Sequence, residues 1–248
     1  QGDEAAIITA LDDLLRRAFY HIHRQQLASC RPAMLELMLN GSEGLRSFHR
    51  NVATLTRFNA PAQQAVSGSV EAECDAIARR LRAMRRDDDA KFEELVGLLA
   101  DLRADPTVTK AVIFTHFIPS FSYLRDRLES TDMFSEDVRL ICAGPNEDDD
   151  TLEGVNDALE ATEGFAVLLT TDRMSESVDL HAANCVINYD LPYNPQDLQQ
   201  RIGRVDRIIQ QADVIHVHNF AVRGTVDEAI MDRIVQRSRI FEAVVGGM

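Results

Sequence analysis

Five short apolar runs separated by stretches of helical period constrain this chain more than any other feature: Ala111–Thr115, Val138–Cys142, Phe165–Thr170, Cys185–Tyr189 and Val214–His218. Each is bounded by turn residues, and most are followed by a helix-compatible segment such as Pro119–Glu129 or Thr225–Val245. A run that is apolar at successive positions needs cover on both faces, and helical crossovers between runs make neighbouring strands parallel. The expected fold is therefore α/β, a parallel sheet flanked by helices. In such sheets ligands sit beyond the carboxyl ends of the strands. That places Thr115–His116, Thr170–Thr171–Asp172 and Asp190–Leu191–Pro192 at the working edge.

The character changes near Asp105–Pro106. Before it, apolar residues step at three and four: Ile7, Leu11, Leu14, Ala18 and Ile22 in a first helix, Leu35, Met38 and Leu39 in a second, and Leu45, Phe48, Val52 and Leu55 in a third. Pro32 suits a helix start and Asn40–Gly41 a helix end, while Ala60 to Ser69 reads as a loop. Val70 to Met84 and Phe92 to Leu102 continue the helical pattern. The chain thus divides into a helical segment over 1–105, which links to whatever precedes it, and an α/β lobe over 106–248.

The stretch Gln200 to Gln210 sets Arg201, Arg204 and Arg207 three residues apart. Taken as one helix at about 100° per residue, Gln200 and the arginines share an arc of roughly 120°, with Leu198, Ile202, Val205 and Ile209 pointing away. Such a face can pack on a core and offer guanidinium groups to a phosphate. The plainer alternative is an amphipathic helix with a solvated basic face. A formal net charge of −14 argues against a free-standing DNA-binding module, so any nucleic-acid contact must be local. No G-x-x-x-x-G-K-S/T loop, no G-x-G-x-x-G and no strand-borne acidic cluster for magnesium occurs, so the arginines lack a nucleotide cradle on their own chain. An arginine helix beside an α/β sheet without that cradle fits a lobe that serves a nucleotide held by another lobe.

Residues 110 to about 220 resemble the second RecA-like lobe of superfamily-two helicases, in the Swi/Snf-type branch and especially its bacterial RapA-like members. Lys110–Phe117 is similar to motif IV, Leu168–Asp172 through Ser175–Leu180 to motif V, Val186–Pro195 to the linking stretch, and Gln200–Gln210 to motif VI. His23–Cys30 and Lys91–Leu95 resemble the helical segments that precede this lobe. The resemblance implies that Arg204 and Arg207 act as arginine fingers on the γ-phosphate of ATP, with Gln200, Arg201, Glu176 and Asp179 at the lobe interface and Thr171 and Ser175 near the nucleic-acid backbone. It implies ATP with Mg2+, held mainly by a first lobe of the same parent protein, and double-stranded DNA and a protein complex being remodelled as partners. It also implies a place in the bacterial cytoplasm, on the nucleoid. Relatives commonly carry glycine where this chain has Met174, Ser177 and Ile209, and side chains there can reshape turns that need close backbone approach.

Other residues take plainer readings. Cys30, Cys74, Cys142 and Cys185 form no C-x-x-C pair, which leaves buried reduced thiols and no zinc site. His216 and His218 share one side of a strand but have no third ligand near in sequence, and His21 and His23 do not face each other on a helix. The acid-only stretch from Glu147 to Glu163 reads as a solvated loop and helix start. The chain is expected to bind no metal alone. No run of about 18 apolar residues and no signal-like amino terminus occurs, so a soluble, cytosolic chain is expected. Two functions compete: half of a DNA-dependent ATPase motor, or a lobe that keeps the fold as a protein-interaction or regulatory module.

Overall fold

The computed structural model describes residues 29, 30, 32, 89–135, 138–144, 149–172 and 178–245. The expected helices before residue 85 and the loop at Ala60–Ser69 lie outside them, as do Cys74, Met174, Ser175, Glu176 and Ser177. The described elements run α1 (Ala90–Ala104), β1 (Lys110–Thr115), α2 (Ile118–Glu129), β2 (Val138–Ala143), α3 (Asp149–Glu160), β3 (Phe165–Thr171), β4 (Cys185–Asn188), α4 (Pro195–Val205), β5 (His216–Asn219) and α5 (Val226–Val245). The strands form one sheet in the order β2-β3-β1-β4-β5, and every pairing within it is parallel. The fold is the α/β arrangement, a parallel sheet flanked by helices, that the alternation predicts. Strand β5 begins at His216, two residues later than the apolar run, because its partner β4 begins at Cys185 and the register is Cys185↔His216.

Alternation along each strand divides the core into two layers. Ala111 and Ile113 of β1, Val167 and Leu169 of β3, and Cys185 and Ile187 of β4 face α1 and α2, where they meet Leu95, Leu99, Phe121 and Leu124. The intervening Val112, Phe114, Ala166, Leu168 and Val186 face the other way, onto Val155 and Leu159 of α3 and Val205 of α4. The apolar face of α1 thus shares a core with the sheet although the helix precedes Pro106. On α5, Ile230 packs with Leu191 and Val226 in a smaller cluster. Cys30 and Cys185 are buried, and Cys142 is half-buried; burial pushes the Cys185 thiol up to about 12.

Helix α1 starts at Asp89, whose side chain accepts from the backbone N–H groups of Lys91 (3.2 Å) and Phe92 (3.4 Å) and from the Tyr123 hydroxyl (2.8 Å). Asp89 is 4% exposed. Asp89→Ala removes an N-cap and strands a buried phenol, and is expected to cost about 2–4 kcal/mol. Urea unfolding would show this as a lower midpoint at an unchanged slope.

Candidate nucleotide and lobe interface

The carboxyl ends of β1, β3 and β4 converge on one guanidinium. Helix α4 is set up locally: Asn194 caps it by accepting from the Gln196 N–H (3.2 Å), and Pro195 occupies its first turn, where the missing N–H costs nothing. Leu198 and Val205 bury its apolar side, and so does Arg201, which is 1% exposed. The Arg201 Nε and Nη2 donate to the two oxygens of Asp172 at 2.6 and 2.9 Å. Its Nη1 donates to Asn188 Oδ1 (3.0 Å) and to the Asp190 carbonyl (2.8 Å), and Nη2 also reaches Asp190 Oδ1 (3.3 Å). A fork held on several sides by carboxylates, an amide and a carbonyl is the satisfied form of a buried arginine.

Two further groups complete the network. The Thr115 hydroxyl donates to Asp190 Oδ2 at 2.6 Å, and the His116 backbone N–H to both Asp190 oxygens at 2.9 and 3.0 Å. The half-exposed His116 ring places Nδ1 2.7 Å from Asp172 Oδ2. Burial alone would raise the Asp172 carboxyl, but hydrogen bonds from His116 and Arg201, with their charges, outweigh it and hold the group well below the usual carboxylate range. The hydrogen bond to Asp172 lifts His116 above the ordinary imidazole value, against an opposing effect of burial.

The single helix expected over Gln200–Gln210 is a correction. α4 ends at Val205, where Asp206 leaves helical geometry, and the turn that follows is closed by the Gln210 N–H on the Arg207 carbonyl at 2.8 Å. The Gln210 side chain donates to the Val205 carbonyl (3.0 Å) and to that of Ala183 (2.8 Å), satisfying a helix end that would otherwise call for another turn. The three arginines therefore do not share one outward face. Arg201 is inside. Arg204 is half-buried in the last turn of α4, and Arg207 lies beyond the helix. Ile209 does not pack with Leu198 and Val205 as the helical spacing implies: it is 57% exposed, and Ile208 beside it is fully exposed.

The positions of the remaining site residues follow from this turn. The Arg204 carbonyl accepts from the Leu180 N–H at 2.8 Å, which ties the end of α4 to the segment entering β4. Among the described residues no carboxylate pairs with the Arg204 side chain. Arg207 Nη2 lies 2.6 Å from Asp179 Oδ1, with both side chains substantially exposed. Gln200 is exposed on α4. Thr171, at the end of β3, is 3% exposed, and its hydroxyl has no hydrogen-bond partner among the described residues. Sequence reasoning marked the stretches holding His116, Asp172 and Asp190 but assigned those residues no role; their signal was only their place at strand ends.

Among the described residues no group of three His, Cys, Asp or Glu side chains is placed to hold a metal, and no helix is long and apolar enough to cross a membrane. A groove of about 760 Å³ lined by Lys110, His181, Asn184, Ile209 and Val214, among others, opens where β1 and β4 begin. It lies at the opposite end of the strands from the arginine network.

These features define a class, the RecA-like α/β lobe with its arginine helix at the carboxyl edge of a parallel sheet. Among solved structures, the C-terminal part of the Fun30 ATPase domain shares this fold, with a TM-score of 0.52 over 84% of each chain at 14% identity. Residues 90–209 match the helicase conserved C-terminal domain, and the chain resembles the C-terminal lobe of superfamily-two helicases of the Swi/Snf type. The chain is 45% identical over 80 residues to the uncharacterized ATP-dependent helicase YqhH of Bacillus subtilis, covering 32% of this chain and 14% of that protein. It is 42% identical over 67 residues to the RNA polymerase-associated protein RapA of Vibrio vulnificus, 27% of this chain and 7% of that protein. With the chromatin-remodeling ATPase INO80 of Debaryomyces hansenii it shares 28% identity over 170 residues, 68% of this chain and 12% of the relative. The chain thus spans a seventh or less of the length of these relatives.

Proposed function

We propose that this chain is the carboxyl-terminal lobe of an ATP-dependent translocase or remodeller stimulated by double-stranded DNA, supplying arginine fingers to ATP bound by a first lobe of the same parent. The observation that carries the reading is Arg204: it sits on the last turn of a helix anchored by a buried guanidinium, half-exposed and without a carboxylate partner among the described residues. A cation so placed suits the charge that spreads over a transferring phosphoryl group. Arg207 is the second finger, held by Asp179 until the phosphate competes for it. Gln200, Glu176 and Asp179 then belong to the lobe interface, with Arg201, expected there from the sequence, as the buried anchor behind it, and Thr171 and Ser175 to the side facing the nucleic-acid backbone. Mg2+ neutralises phosphate charge from its seat on the first lobe. The bacterial relatives support a place in the bacterial cytoplasm, on the nucleoid, with a protein complex as the object remodelled.

The test is ATP hydrolysis by the two-lobed parent with no nucleic acid, duplex DNA, single-stranded DNA or RNA. Stimulation of at least severalfold by the duplex and less by the others is the expected result; a rate indifferent to nucleic acid overturns the reading. The second reading, an interaction module without an engine, is favoured by Ile208 and Ile209, an exposed apolar pair beside Arg207 of a kind that commonly meets another protein. Absence of hydrolysis under all four conditions would select it.

A further inference from the structure

Asp190 lies two residues beyond the end of β4 and is 2% exposed. Its Oδ2 accepts from the Ser29 hydroxyl at 2.7 Å, a residue 161 positions away in the chain, as well as from Thr115. Ser29 is itself fully buried, and its Oγ lies 2.8 Å from Ser120 Oγ at the start of α2. On the other side Asp190 takes the Arg201 fork through both its carboxylate and its carbonyl. One residue therefore joins the segment at Ser29, the ends of β1 and β4, and the arginine helix.

The charge of Arg201 is already met by Asp172, which binds Nε and Nη2 in the paired geometry of a carboxylate. What Asp190 adds, together with Asn188 on β4, is a second direction. With Asp172 after β3 and Asp190 after β4, the guanidinium is clamped from two strand ends and cannot swing about the Asp172 contact. We infer that Asp190 is a positioning residue for the arginine fingers, holding Arg201, and with it the last turn of α4 at Arg204, in register with the segment docked through Ser29. The inference rests on the finger reading of Arg204 and deepens it: docking of the segment at Ser29 becomes a condition for the geometry of the nucleotide site.

The test uses steady-state hydrolysis by the two-lobed parent together with NMR of this 248-residue chain. Asp190→Asn keeps an acceptor for Thr115 and His116 but loses the charge and one edge of the clamp. A displaced transition-state contact is expected to lower kcat by roughly 10- to 100-fold while KM for ATP stays within about twofold. Ser29→Ala should move kcat in the same direction by about threefold, and melting should show both variants folded at the assay temperature. The Arg201 Nη protons should be resolved and slowly rotating in the native chain and merged in Asp190→Asn. An unchanged kcat in Asp190→Asn overturns the inference while leaving the motor reading intact, and so do Nη protons that stay resolved. A native parent that hydrolyses no ATP overturns the motor reading and this inference with it.

Discussion

Arg201→Met should cost the fold about 3–5 kcal/mol, the penalty of removing one partner from a buried charge network. Methionine fills much of the volume, so the loss is electrostatic: Asp190 stays buried without its cation, and the Asn188 side chain and the Asp190 carbonyl lose their donor. Urea unfolding of the chain should show a lower midpoint with an unchanged slope. Acid titration provides a second readout. Asp172 is held below its unfolded value, so its contribution is fully present above about pH 4 and is lost as the pH falls through its folded value. In Arg201→Met that acid-side slope should flatten, because one of the two groups that depress the carboxyl is gone. A variant as stable as the native chain would mean that the network is replaceable by apolar packing.

In the two-lobed parent, Arg204→Ala should lower kcat by roughly 10³-fold, about 4 kcal/mol of transition-state stabilisation, with KM for ATP changed only a few-fold. The asymmetry matters. A residue that merely bound ATP would raise KM and leave kcat alone. Arg207 is a harder case because its guanidinium already pairs with Asp179, but an exposed pair of that kind is worth at most about 1 kcal/mol and yields readily to a phosphate. An Arg204→Ala enzyme with native kcat would remove the finger assignment.

The sheet was legible because its signal is local. Ala111–Thr115 and Phe165–Thr170 are apolar at successive positions, which only a doubly covered strand requires, and the structure extends each by a single residue. The carboxyl ends of the strands were legible for the same reason, since strand ends can be read from where apolar runs stop. What could not be read was pairing. Asp172 and Arg201 stand 29 positions apart, Thr115 and Asp190 75, and no periodicity carries that information. The extent of α4 is not legible because residues 200–210 keep a helical spacing of apolar side chains through Ile209. The Gln210 amide reaches back to the carbonyls of Val205 and Ala183, a long-range contact that offers the helix end an alternative to another turn.

The strand order carries a consequence for how the chain is made. The central strand β1 is flanked by β3 and β4, and its first hydrogen-bonded partner in sequence, β3, begins only at Phe165. At about 5–20 residues per second of synthesis, the Ala-Val-Ile-Phe run leaves the ribosome several seconds before any strand exists to cover either of its edges. Helices α1 and α2, which emerge immediately before and after it and supply one apolar layer, can shelter one face during that interval. The other face waits for α3 and α4. A nascent chain of this topology is therefore exposed on one side of its central strand until α3 and α4 have been translated.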